Sequence, residues 1–237
     1  MFGTLGYRGF YYDESYILIL IGVILSLLAS AKVKTTFRRF SQVRSLSGYT
    51  GASAAELILH NAGIYDVRVQ HVPGNLTDHY DPRNKTLNLS DSVYGSTSVA
   101  AIGVAAHEVG HAIQHARNYA PLSIRNAIVP VANFGATISW PLILAGILIS
   151  GFQPLITVGI LAFSFAVLFQ IITLPVEFNA SRRAINILGS QGILRGDEVG
   201  NVRKVLTAAA LTYVAAAVSS ILQLLRLIYL FGGRDRD

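Results

Sequence analysis

The chain contains no cysteine among its 237 residues. That absence excludes disulfides and every thiolate metal site, so a metal bound here must rest on nitrogen and oxygen ligands. Charge is scarce as well. Asp, Glu, Lys and Arg make up 14% of the residues and hydrophobic types 52%, whereas a soluble domain carries about a quarter charged residues. The scarcity is local. Asn126 to Val176 forms 51 consecutive residues without a charge, and about 20 suffice for one membrane span. Ser150-Gly151-Phe152-Gln153-Pro154 interrupts that run as a turn signal, which predicts two spanning helices near Ile128–Ile149 and Leu155–Leu174. Val205 to Leu225 adds 21 uncharged residues and Tyr16 to Ala31 adds 16, with Phe10, Tyr11 and Tyr12 as an interfacial aromatic belt. Four spans are expected. No internal repeat or low-complexity tract is present. The net charge of +6 does not indicate a nucleic-acid partner, because the Lys and Arg residues cluster at the ends of the spans.

That clustering sets an orientation. Lys32, Lys34, Arg38, Arg39 and Arg44 follow the first span, whereas Asp13 and Glu14 precede it. The positive-inside rule places the N-terminus outside and residue 32 onward in the cytoplasm. Residues 177–204, with Arg182, Arg183, Arg195, Arg203 and Lys204, are again inside. The expected fold is therefore an α-helical integral membrane protein of the plasma membrane, with four transmembrane helices and a small α+β segment. Its divisions are residues 1–31 (first span), 32–125 (cytoplasmic segment), 126–176 (transmembrane hairpin), 177–204 (second cytoplasmic segment) and 205–237 (last span and tail). Ala29-Ser30-Ala31 offers a rival reading as a signal-peptide cleavage site. A signal peptide, however, carries its positive charges before the apolar run, and here they follow it.

Within residues 32–125, Thr50 or Ser53 is placed to cap a helix through Leu59, with Gly63 as its stop. Val67 to His71 alternates like a strand closed by Pro73-Gly74, and Asp78–Asp81 and Thr86–Ser90 flank a hairpin turn at Pro82–Lys85. Ser96, Thr97 or Ser98 then caps a long helix to about Arg117.

That helix carries His107-Glu108-Val109-Gly110-His111, followed by His115. Positions i and i+4 lie one turn apart on one face, so His107 and His111 reach a single Zn²⁺ at about 2 Å each. Glu108 lies beside them as a base for water at the metal. Gly110 leaves backbone room there. His115 sits eight residues past His107, about 12 Å along the axis, and belongs behind the ligands or at an interface. The extended pattern ending in a third histidine fails, because Gln114 and Arg117 occupy its glycine and histidine positions. A carboxylate is the remaining source of a third ligand. The acids after His111 are Glu177, Asp197, Glu198, Asp235 and Asp237. Asp197 and Glu198 fall in a Gly-flanked loop, and the last two lie across the membrane. Glu177 ends the uncharged run where the third span returns to the side of the motif, and charges at that depth are usually functional. Its bland alternative is an interfacial carboxylate paired with Arg182 or Arg183.

With these residues in hand, the chain resembles the YugP-type membrane zinc metallopeptidases and, more distantly, the HtpX-type and CAAX prenyl proteases. The matching pieces are Leu76–Pro82, Leu89-Ser90, Ala105–Gln114, Pro175–Phe178 and Ala180–Ala184. The resemblance implies a zincin-like catalytic segment of the gluzincin type, with His107, His111 and Glu177 as zinc ligands and Glu108 as the catalytic carboxylate. The HtpX-like group has Asp four residues after the ligand glutamate. Here that position is Ser181, so the partner carboxylate is replaced, with Asn179 as a candidate substitute.

The function expected on this basis is that of a zinc metalloendopeptidase acting on membrane or membrane-proximal proteins at the cytoplasmic face, its partners being a protein or peptide substrate and the bilayer. His79, Tyr80, Arg182 and Arg183 are candidates to stabilise the oxyanion. Thr86 to Ser90 serves either as an edge strand on which substrate adds by β-pairing or as an ordinary sheet strand. The alternative function is a non-catalytic zinc-binding membrane scaffold or adaptor. A metal transporter is disfavoured because the spans hold no acid or histidine at mid-depth.

Overall fold

A computed structural model describes residues 14–149 and 152–232. The aromatic triplet at residues 10–12, the Ser150-Gly151 part of the predicted turn and the tail from residue 233 lie outside the described residues. Six helices and three strands follow in the order α1 (Tyr16–Ser41), α2 (Gly51–Asn61), β1 (Arg68–Val72), β2 (His79–Asp81), β3 (Thr86–Ser90), α3 (Val99–Ala116), α4 (Ala120–Leu148), α5 (Gln153–Ser190) and α6 (Asp197–Phe231).

Helices α1, α4, α5 and α6 are long and apolar enough to cross a membrane. All four outrun the predicted spans at their charged ends. α5 continues unbroken for 38 residues, through Glu177 and on to Ser190. α1 and α6 run antiparallel, joined where Ser219 donates its hydroxyl to the Gly22 carbonyl at 2.9 Å. A Cβ at Gly22 would lie 3.1 Å from Ser219 Oγ. α4 and α5 form a hairpin of similar character, in which a Cβ at Gly159 would meet Ser139 O at 2.9 Å. Small residues that admit close backbone approach are the usual device for packing helices in lipid.

The polar segment folds against the charged ends of these helices. Thr50 caps α2 in a reciprocal capping box with Ser53, and Gly63 takes φ +74° at its stop. Ser98 caps α3 by accepting from the Ala101 N–H. β1 begins one residue later than the alternation predicts. β3 pairs with β2 in antiparallel register, Tyr80 opposite Leu87, which bears out the predicted hairpin. It also pairs in parallel with β1, giving the order β1-β3-β2. Thr86 to Ser90 is therefore the central strand and is buried throughout, so the edge-strand reading of this segment is corrected. A parallel β1–β3 pair arises because the hairpin folds back beside β1, an arrangement that strand alternation does not encode.

The core gathers around α3. Ile102, Val109 and Ile113 pack with Ile58 and Leu59 of α2, Leu87 and Leu89 of β3, Ala184 and Leu188 of α5, and Val202 and Leu206 of α6. Asp197 and Glu198 are not in a loop. They open α6, and Glu198 accepts from the Leu46 N–H at 2.8 Å and the Arg195 N–H at 3.0 Å. Its carboxylate ties the loop after α1 to the start of α6 and is spent there.

Candidate metal centre

Helix α3 holds His107 and His111 one turn apart, and α5 brings Glu177 against them. The two Nε2 atoms are 3.2 Å apart, and Glu177 Oε2 lies 3.3 Å from His107 Nε2 and 3.5 Å from His111 Nε2. All three potential ligand atoms fall within 4.8 Å of one another. Glu177 is 3% exposed and pairs with these imidazoles; its alternative pairing with Arg182 or Arg183 is not what the structure shows.

Each imidazole has a second partner on its Nδ1 side. Gln114 Nε2 donates to the Val176 carbonyl at 2.8 Å and to Asn179 Oδ1 at 3.0 Å. A carbonyl only accepts, so the orientation of this buried amide is determined. Its Oε1 must then accept from His111 Nδ1, at 3.0 Å. On the other side Ser181 Oγ lies 3.1 Å from His107 Nδ1 and can accept its proton. With protons on both Nδ1 atoms, two Nε2 lone pairs and a carboxylate oxygen face one point. Glu177 Oε2 is buried, with the two Nε2 atoms as its near polar neighbours. Three converging lone pairs repel unless a cation or proton sits among them. The donor set, two imidazoles and a carboxylate with no sulfur, suits Zn²⁺ with a fourth position open. Burial opposes a charge on His111, but Glu177, Glu108 and Gln114 outweigh it and raise the pKa above the usual imidazole value.

Glu108 is buried beside the pair without joining it. Its Oε2 accepts the Tyr80 backbone N–H at 3.0 Å, so β2 holds the carboxylate in place. Nearby, burial raises the Asp78 carboxyl pKa even though Ser90 donates both its N–H and its hydroxyl to it. A cavity of about 180 Å³ opens beside this group, and Glu108, His111, Glu177, Arg125 and Tyr213 line it.

The remaining expected residues divide sharply. His79 lines the cavity, but its Nδ1 bonds the Thr77 carbonyl at 2.9 Å and its Nε2 is 3.2 Å from the Asn88 amide nitrogen. The Tyr80 hydroxyl points away, to His115 Nδ1 at 2.9 Å. His115 thus anchors β2 to α3 and stands apart from the three convergent groups. Asn179 touches neither imidazole; it accepts from Gln114 and from Arg183 Nε, the latter at 2.7 Å. Arg183 also lies 6.0 Å from the Tyr119 ring, and Arg182 lines a different cavity between α5 and α6. Gly110 does not leave room near the metal position. A Cβ there would lie 2.8 Å from the Ala180 carbonyl, so this glycine lets α3 and α5 touch.

Sequence reasoning missed Gln114, Arg125 and Tyr213 as participants. Gln114 stands three residues after His111 on the same helical face, a usable local signal. Arg125 is the last charge before the long uncharged run. Tyr213 sits mid-way along an apolar helix and interacts with Glu177 only through tertiary folding.

Comparison with known proteins gives a consistent picture. The profile of the family described as "Putative neutral zinc metallopeptidase" matches residues 15–232. The curated protein "Putative membrane protease YugP" of Bacillus subtilis (strain 168) is 51% identical over 214 residues, covering 90% of this chain and 95% of that protein. No solved structure matches.

Proposed function

The chain belongs to this neutral zinc metallopeptidase family, and from that premise we propose that it is a membrane-embedded zinc metalloendopeptidase of the gluzincin type. His107, His111 and Glu177 are its metal ligands, Glu108 is its catalytic base, and membrane or membrane-proximal proteins are its substrates. The observation that carries the reading is the convergence of His107 Nε2, His111 Nε2 and Glu177 Oε2 beside a buried carboxylate that β2 holds outside the cluster. Zn²⁺ bound there supplies Lewis acidity that polarises the scissile carbonyl and acidifies water.

The chain's own groups do the rest. Glu108, oriented by the Tyr80 N–H, accepts the proton of the attacking water and passes it to the leaving amine. Arg125 and Tyr213 face the same cavity, and Arg125 Nε is buried without a hydrogen-bond partner. Donors aimed at the position where negative charge develops are what acyl transfer requires. These two therefore take the role first considered for His79, Tyr80, Arg182 and Arg183. Substrate backbone adds along the side of β2 that β3 leaves unpaired, the side from which Tyr80 reaches Glu108. In the membrane, residues 32–125 and 177–204 lie in the cytoplasm and α1, α4, α5 and α6 span the bilayer.

Glu108→Gln tests the enzyme against the scaffold alternative, because it keeps the shape and removes the base. Zinc content should stay at wild-type level while hydrolysis of a protein substrate falls by at least roughly 10²-fold. Equal turnover in both proteins removes Glu108 from the mechanism. Sidedness is tested separately. A cysteine at Leu46, which is 88% exposed, should resist a membrane-impermeant thiol reagent in intact cells, and one at Gly233 should react. Labelling at residue 46 reverses the orientation.

A further inference from the structure

A second cavity, of about 530 Å³, lies between the C-terminal part of α1 and the N-terminal part of α6, and none of the three convergent groups lines it. Four basic side chains line it: Lys32 and Arg39 from α1, and Arg203 and Lys204 from α6. The buried Phe40 and the apolar Leu211 contribute to its walls. Arg39 Cζ is 5.4 Å and Lys204 Nζ 5.7 Å from the Phe40 ring centre, so the ring holds two cations at the rim from either helix. Among the described residues no carboxylate pairs with any of the four, and no acid lines the cavity. Thr36 and Thr207 add hydroxyl groups to the same wall.

The helices have a reason to part here. Ser219 bonds the Gly22 carbonyl and meets Ser26 Oγ at 3.1 Å, which clamps α1 to α6. About 16 Å further along α6 at helical rise, bulkier side chains replace the glycine–serine contact and a groove opens. That level is where the apolar run of α1 gives way to Lys32, Lys34 and Arg38, so the groove sits at the expected headgroup depth on the inner side.

We infer that the α1–α6 groove is a binding site for one anionic phospholipid, with the phosphate among the four cations around Phe40 and the acyl chain passing Leu211 toward the apolar part of α1. The inference rests on the spanning orientation given above, and charge complementarity selects the occupant. An unneutralised basic group with an apolar floor at the cytoplasmic interface suits an acidic headgroup that carries its own hydrocarbon. A soluble phosphate compound would leave the apolar wall uncovered. A zwitterionic lipid would bring a cation into a site that already holds four.

The test uses purified full-length protein in a neutral detergent, with native mass spectrometry counting lipids that survive dilution. One phosphatidylglycerol should remain bound and phosphatidylcholine should not. R39Q/R203Q removes one charge from each wall and should weaken phosphatidylglycerol binding roughly 30-fold. K34Q/R38Q removes two exposed charges of α1 that do not line the groove, and should leave binding unchanged. Equal retention of the two lipids, equal loss in the two double variants, or displacement by millimolar inorganic phosphate would each overturn the lipid site. Carbonate extraction of the membranes tests the spanning orientation independently. Protein that resists extraction yet fails the lipid test loses only the groove assignment, whereas protein released by carbonate loses both.

Discussion

Helices α1 and α3 are both strongly apolar, yet they meet opposite surroundings. Of the 18 residues in α3, 13 are buried within the protein, whereas in α1 the buried ones among 26 are Gly22, Ala29 and Phe40. Side-chain size separates the two. α3 is rich in Ala and Gly, and α1 in Leu and Ile. Small residues let α3 be surrounded closely by α2, β3, α5 and α6, with Gly110 against Ala180 and Gly103 against Val202. The long side chains of α1 project outward, Leu27 at 64% exposure and Leu28 at 63%, as a helix facing hydrocarbon would have them. Apolar content marks a helix that avoids water; the size of its residues tells whether protein or lipid does the covering.

Perturbing the two helices should therefore give responses that differ in kind. The largest effect belongs to the groups that α3 and α5 bring together. His107→Ala, His111→Ala and Glu177→Ala should each take bound zinc from about one per chain to none, measured by elemental analysis of purified protein. Full zinc occupancy in Glu177→Ala would remove that residue from the ligand set. Next comes packing. Ile102→Ala empties a fully buried site on α3 and should cost about 2–5 kcal/mol, read as a lower unfolding midpoint in detergent; an unchanged midpoint would mean that α3 is not core. Gln114→Ala leaves the Val176 carbonyl and His111 Nδ1 without their partner, and should weaken zinc binding roughly 10- to 100-fold. Competition with a calibrated chelator measures that constant, and wild-type affinity would dismiss the tautomer argument. The smallest effect is expected on α1. Leu27→Ala should change stability in lipid by no more than about 0.5 kcal/mol. A loss as large as that of Ile102→Ala would show that another protein surface, not lipid, covers α1.

How much of this the sequence discloses depends on how far apart the partners are. His107 and His111 are readable because four residues make one turn, and the capping signals at Thr50 and Ser98 because a cap is settled within three residues. Glu177 is readable for a different reason: it is a lone charge at the end of an uncharged run. Tyr213 carries no such mark, since an aromatic in an apolar helix is ordinary until α6 packs beside α5. The central place of β3 was hidden because strand alternation fixes which face is buried but not which neighbours pair. Gly110 was misread for a related reason. Its proximity to His107 and His111 is local, whereas its contact with Ala180 spans the α4–α5 hairpin.

The continuity of α5 has a mechanical consequence. Glu177 stands 24 residues from the start of a single helix, about 36 Å along its axis. Were the hairpin end the pivot, a tilt of only about 3° would swing Glu177 by about 2 Å, enough to pull it from the imidazoles. Two contacts with α3 oppose such a swing. Gln114 grips the Val176 carbonyl on one side of Glu177, and the Gly110–Ala180 contact locks the other. The site is thus held on both sides along the helix. A displacement at the far end of α5 would therefore have to break these two contacts before it changed the distances among His107, His111 and Glu177.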